Sequence, residues 1–399
     1  MKKVISLVLA SMLLLVFVAA CGGGGTTSDP TPTPAANDPV TTAEPTDPDD
    51  DDDPAPPVTS DVDIKVALVA HGPASIQFDG SFNEGSWNGI LEFLSSKGLP
   101  EANANFFQAH AENDDARVDV MNDAIEWGAD ILILPGFHFA ASVATAQDLF
   151  PETMFVVLDV RPNFGGPEEA NTVSILYAEE QSGFLAGYAT VMDGFRELGF
   201  MGGVAVPAVV RFGHGFIEGA EHAAKELGLE AGDVTINFHY IGGFTPDPAV
   251  TTMAGSWYAG GTEVIFAAAG GAGFSVIAAA EDANTWMIGV DVDQAGDSQR
   301  VLTSAMKALA ISVNDMLTEF VGGSFRGGSN LHYDASVNGI GLPMENSRFS
   351  TFTQAQYDAI YSQLAGGGIA VSTRLPDEGG STDPNDLLTF DLVTVNFIN

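Results

Sequence analysis

Ile64-Lys65-Val66-Ala67-Leu68-Val69-Ala70 is a short apolar run rich in valine, and it stops at His71-Gly72-Pro73. A run of that length closed by glycine and proline reads as a β-strand feeding a loop. The pattern recurs at residues 130–135 (DILILP), 154–160 (MFVVLDV), 172–176 (TVSIL), 200–206 (FMGGVAV), 234–241 (VTINFHYI), 263–268 (EVIFAA) and 286–290 (WMIGV). Helix-like stretches such as 116–128 and 212–227 lie between these runs. Strands alternating with helices of that size predict an α/β protein with parallel sheets covered on both faces, and the count suits two sheets. A further run near the end, 389–398 (TFDLVTVNFI), alternates like a strand that closes one lobe or the hinge.

Ligands of open parallel sheets lie beyond the carboxyl ends of the strands. The residues there are FDGSFNEGSWNG (78–89), GFHF (136–139), Asp159, Arg211-Phe212, Gly242-Gly243-Phe244, GGAG (270–273) and Asp291-Val292-Asp293-Gln294. An aromatic, an acid or a glycine turn recurs at each place. Such a cleft suits a flat polar molecule bearing hydroxyls, and a nucleoside is one. Phe137, Phe139 and Phe212 fit either a cleft wall or the core, and Trp87 is expected between helix and sheet. His71 and Gln77 share a loop near the cleft, where a lone histidine is expected to be solvated.

Outward from this pattern, 399 residues suit two lobes plus extra segments. With 53 Asp+Glu against 14 Lys+Arg the formal charge is −39, which excludes nucleic-acid binding by counterion release. The hydrophobic fraction of 45% and 26 phenylalanines supply a core, so the acidity decorates a folded protein. One cysteine excludes an internal disulfide framework and multi-cysteine metal sites. That residue, Cys21, follows Lys2-Lys3, the uncharged run 4–20 and Val18-Ala19-Ala20, and precedes four glycines. This resembles a bacterial lipobox: residues 1–20 are expected as a signal peptide and Cys21 as a diacylated anchor at the cell membrane, with the chain facing the periplasm or exterior. Residues 21–62 are Gly, Thr, Pro and Asp with little apolar content, a tether of roughly 100 Å reach. Asp49 to Asp53 lack the alternating spacing of a calcium loop.

Ser81-Phe82-Asn83 with Trp87, Gly136-Phe137, the run 179–187 (EEQSGFLAG), Arg211-Phe212 with Gly215-Phe216, 268–273 (AAGGAG) and 289–294 (GVDVDQ) occur together and in this order. Over about residues 64–345 the chain resembles the basic membrane protein family of bacterial lipoproteins, the substrate-binding components of ABC importers. The resemblance implies a type I periplasmic-binding-protein fold, in which two doubly wound parallel-sheet lobes are joined by hinge strands. The lobes are expected over 63–172 plus about 300–345, and over 173–299 plus about 346–399. It further implies a purine nucleoside or related small ligand, an ABC permease as partner, and neither cofactor nor catalysis. Carried over by position, Phe82 and Phe244 would sandwich the base, Asn83 and Asp159 would bond its polar edge, and Asp291 with Lys307 would hold the ribose. Asp79, Ser81, Phe137, Phe212, Gly270 and Gly271 complete the expected set. The family's usual Asp-Asp-Lys lead-in stands here as Phe78-Asp79-Gly80.

Two other classes are weighed. Residues 263–268 followed by Gly271-x-Gly273, with Asp291 farther on, mimic a dinucleotide fingerprint, but Val276 replaces its third glycine and no acid–base or nucleophile constellation follows. The other is a surface lipoprotein that binds a different small ligand or a macromolecule.

Overall fold

The computed structural model describes residues 62–399. The expected signal peptide, Cys21 and all but the last residue of the tether lie outside the described residues. Among these residues no helix is long and apolar enough to cross a membrane.

Five strands come first: β1 (Val66–Ala70), β2 (Ala104–Gln108), β3 (Ile131–Pro135), β4 (Met154–Leu158) and β5 (Thr172–Tyr177). Five more follow: β6 (Glu197–Gly202), β7 (Val234–Tyr240), β8 (Val264–Ala268), β9 (Trp286–Asp291) and β10 (Val301–Lys307). The last are β11 (Ser329–Tyr333), β12 (Ile340–Gly341) and β13 (Val393–Phe397). One sheet has the order β11-β5-β4-β3-β1-β2 and the other β12-β10-β9-β8-β6-β7-β13. The strand pairs are parallel except β10 with β12. β1, β3 and β8 are buried along their whole length, as strands with helices on both faces must be. This is the type I periplasmic-binding-protein architecture.

Strand pairing draws the lobes differently from the sequence boundaries. β5 joins the first sheet although residues from 173 on were expected in the second lobe. The block 300–345 divides: β10 and β12 belong to the second sheet, β11 to the first. The cause is that the chain changes lobes at strand ends, from β5 into helix Glu179–Met192, from β10 into helix Leu309–Val321, and from β11 to β12. Helix Leu309–Val321 buries Leu309, Val313, Met316 and Leu317 against Ile64, Val66 and Ile90 of the first lobe. The run expected as a strand over 200–206 begins at Glu197 and ends at Gly202. The tail strand β13 pairs with β7 and closes the edge of the second sheet. Glu221 holds that tail, accepting the backbone N–H groups of Asp391, Leu392 and Val393 at 3.0, 3.0 and 2.9 Å.

One helix pair sets the geometry beneath the cleft. Helices Glu179–Met192 and Pro207–Leu227 approach so closely that each presents two glycines to the other's backbone. A Cβ on Gly183 would stand 2.2 Å from the Phe212 carbonyl oxygen, and one on Gly187 2.1 Å from that of Phe216. On the partner helix, Gly215 and Gly219 would each meet a carbonyl oxygen, of Glu180 and Phe184, at 2.0 Å. The i, i+4 spacing puts each pair on one helical face. This contact brings Glu179, the first residue of one helix, and Arg211, at the start of the second turn of the other, to the same point.

Gly215→Ala is expected to destabilise the fold by about 1–3 kcal/mol, because backbone has to move to admit the methyl group. Gly255→Ala, in a helix where a Cβ meets nothing within 4 Å, should be neutral or stabilising. Urea unfolding of both variants checks this; equal stabilities would contradict the close-contact account.

Candidate functional site

A cavity of about 310 Å³ lies at the carboxyl ends of the two sheets, within the usual range of small-molecule sites, roughly 300–1,000 Å³. The expected residues Asp79, Phe82, Asn83, Phe137, Asp159, Phe212, Phe244, Gly270, Gly271, Asp291 and Lys307 all line it. Ser81 does not; it is buried behind the wall and donates to Asp291 Oδ2 at 2.7 Å. Two of the set are occupied in bracing. The Asp79 carboxylate accepts the backbone N–H groups of Ser81, Asn83 and Glu84 at 3.0–3.1 Å, stabilising the start of helix Phe82–Ser96. Burial nevertheless pushes Asp79 up to about 6. Asn83 Nδ2 donates to Ser75 Oγ at 3.0 Å and to the Ile76 carbonyl at 2.7 Å, tying down the loop after β1. The lobes are joined across the cleft by Ser81 to Asp291, by Gln294 Nε2 donating to the Gly80 carbonyl at 2.9 Å, and by Lys307.

Lys307 closes β10 at a lobe crossover, with its side chain only 2% exposed. Its ammonium donates to Asp159 Oδ2 at 2.6 Å and stands 3.4 Å from Glu179 Oε1 and 3.6 Å from Asp291 Oδ1. The same nitrogen lies 4.7 Å from the Phe82 ring centre, 5.3 Å from Phe212 and 5.5 Å from Tyr177. Arg211 Nη1 binds Glu179 Oε2 at 2.6 Å. Asp159 and Asp291 follow or end strands of opposite lobes, and both adopt left-handed backbone, φ 65° and 68°, which aspartate tolerates better than most residues. The base-edge acid and the ribose acid expected to act apart thus meet at one lysine. Burial, and then the Lys307 charge opposing it, set Asp159; with the charges of Glu179 and Asp291 added, its carboxyl is pushed up to about 7. For Glu179 burial is outweighed by Lys307 and Arg211, which hold it below the ordinary range. Lys307 is held above its usual value, because the three carboxylates overcome its burial. Glu180, next in the helix, is pushed up to about 7 by burial and by Glu179.

Residues 64–369 match the family of ABC transporter substrate-binding proteins described as PnrA-like. The chain belongs to this Bmp family. Bmp proteins are transport receptors, not enzymes, and the glycines that mimicked a dinucleotide fingerprint form a cavity wall at Gly271 and a helix start at Gly273. Among relatives, the ABC transporter nucleoside-binding protein BmpA of Lactococcus lactis is 27% identical over 71% of this chain and 83% of its own. Basic membrane protein A of Borreliella burgdorferi is 28% identical over 75% and 85%. A solute-binding protein of an ABC transporter system from Aeropyrum pernix superposes with a TM-score of 0.67 at 19% identity, covering 79% of this chain and 95% of that one. One from Conexibacter woesei gives 0.61 at 20%, over 78% and 99%. These last two speak to the fold.

The Bmp chain also brings residues to the cavity that the sequence did not mark as ligand-binding. Glu179 and Arg211 lie within the EEQSGFLAG run and the Arg211-Phe212 pair, and only the helix contact shows that they meet. His71 lines the cavity instead of standing solvated, and His138 and Glu112 line it beside His71. Trp87 packs into the core with Ile64 and Val66, and Phe139 is fully buried in the core as well.

Asp159 ionises near 3.9 in an unfolded chain and near 7 in the folded one, so between those values the folded state holds the extra proton. Its contribution to stability is full below about pH 4 and is lost as pH rises through about 7. Asp159→Asn tolerates the same backbone and does not titrate. The unfolding free energy of the wild type relative to this variant should therefore fall between about pH 4 and 7 and level off above, in urea titrations; a constant difference would refute the assignment.

Proposed function

We propose that this Bmp-family chain is a lipid-anchored extracytoplasmic receptor that captures a purine nucleoside between its lobes and presents it to an ABC permease. Asp159 Oδ1 carries the reading: it is a buried acceptor without a hydrogen-bond partner, on a residue of the cavity wall beside the Lys307 ammonium. Such an atom calls for a donor from the ligand, and vicinal ribose hydroxyls supply donors to Asp159 and Asp291 and acceptors to Lys307. Phe82 from the first lobe and Phe244 from the second furnish faces for the base. Stacking on an aromatic face contributes about 1–3 kcal/mol per base. The Lactococcus relative, named a nucleoside-binding protein, supports this reading. Ligand contacts to both lobes favour the closed arrangement, and a permease that recognises it receives cargo without any chemistry on the cargo.

Calorimetry on the chain from residue 22 on, titrated with adenosine, guanosine, inosine and the free bases, tests this. At least one nucleoside should bind tighter than 100 μM, and its free base more weakly; binding of none overturns the reading. Phe82→Ala and Asp291→Asn should each weaken the best ligand by about tenfold or more. In cells, labelled palmitate should be incorporated into the wild type and not into Cys21→Ser; absence of label from the wild type would count against lipidation.

A further inference from the structure

Two segments from opposite lobes touch at the cavity wall. Phe274, on the first turn of the helix Gly273–Ala283 that follows β8, lines the cavity, and its ring lies over Gly80 in the loop after β1. A Cβ on Gly80 would stand 2.5 Å from Cζ and 2.8 Å from Cε2 of that ring. Gly80 also has left-handed backbone, φ 66°, so its conformation and the approach of the ring both call for glycine. The second lobe grips the same residue from a further point, through Gln294 Nε2 and the Gly80 carbonyl. Gln294 is itself held, its Oε1 accepting the Val290 N–H at 2.9 Å and its own N–H donating to Ser304 Oγ at 3.0 Å.

The turn that carries Phe274 also holds the loop that carries Phe244. The Ala272 N–H donates to the Phe244 carbonyl at 2.9 Å, and Ser275 Oγ accepts the Asp247 N–H at 2.9 Å. On the first lobe, Gly80 stands two residues before Phe82. The contact of Phe274 with Gly80 therefore links the segments that position the two rings proposed to face the base. Phe274 is 37% exposed, so the rest of this apolar side chain is covered, in part by the loop of the other lobe. Parting the lobes returns that part to water, a cost borne by the opening step.

We propose that Phe274 gates the cleft: by packing on Gly80 across the lobes it sets how fast a captured nucleoside leaves. The inference rests on the nucleoside reading above and adds to it a residue that governs release. A contact made in the closed arrangement and absent from the open one slows opening, while the encounter of ligand with the open receptor does not involve it. Loss of the ring belongs in the dissociation rate.

Stopped-flow displacement on the chain from residue 22 on, loaded with whichever of adenosine, guanosine and inosine binds tightest, tests this. Phe274→Ala should raise the dissociation rate about tenfold and keep the association rate within about threefold of the wild type. Phe274→Leu retains part of the contact and should fall between. Gly80→Asn tolerates the left-handed backbone and sets a side chain where the ring lies, so it should speed release in the wild type, but by less than about twofold when added to Phe274→Ala. Thermal melts accompany the kinetics, and Phe274→Ala decides the matter where Gly80→Asn fails to fold. An unchanged dissociation rate in Phe274→Ala, a loss of affinity through association alone, or additive effects in the double variant overturns this proposal and leaves the nucleoside reading intact. Failure of all three nucleosides to bind overturns both.

Discussion

An ammonium group at 2% exposure has to be surrounded by anions or it does not stay charged, and Lys307 is surrounded by three. Asp159 comes from the first sheet, Asp291 from the second, and Glu179 from the helix that leaves the first sheet for the second lobe. One buried cation therefore fixes the relative position of two strand ends and a crossover. Removing Lys307 would leave carboxylates uncompensated in an interior setting, so the cluster is a constraint on lobe geometry as much as a feature of the cavity. Since carboxyls outnumber the cations Lys307 and Arg211, the surplus falls on Asp159, whose free oxygen is the atom a ligand can satisfy.

The glycine-to-backbone contact under the cluster explains how Glu179 and Arg211 reach it. Helices that touch through Cβ-bearing residues sit about 8–10 Å apart at their axes. Removing four side chains at the crossing, Gly183, Gly187, Gly215 and Gly219, lets the backbones meet and the starts of the two helices converge. The ion pair at 2.6 Å is the consequence. Small residues in the helices and charged residues at their starts form one device.

Most of the cavity wall is legible in the sequence because most of its strands are buried. Strands such as β3 and β8 are covered on both faces, so they read as continuous apolar runs, and the residues just past them are marked out for inspection. β2 is different. ANFFQ lies at the sheet edge, partly exposed along its length, and lacks the unbroken apolar run of an interior strand. Its end therefore carries no sequence signal, and Glu112, which follows it and lines the cavity, is not legible there. β10 hid for a related reason: VLTSAMK mixes threonine, serine and lysine into a buried strand because Thr303, Ser304 and Lys307 find hydrogen-bond or ionic partners there.

The sequence by itself determined the α/β class, the family and the side chains at the ends of the interior strands, because burial on both faces leaves an apolar signature that needs no knowledge of neighbours. Tertiary structure alone decided which lobe each strand joined after residue 300, since lobe membership depends on where the chain crosses and not on local composition. It also decided that Asp159, Asp291 and Lys307 form one cluster and that His71 stacks on His138 instead of meeting solvent. His71 and His138 are 67 positions apart and Asp159 and Lys307 are 148 apart, so these relations are set by how two sheets and their crossovers pack.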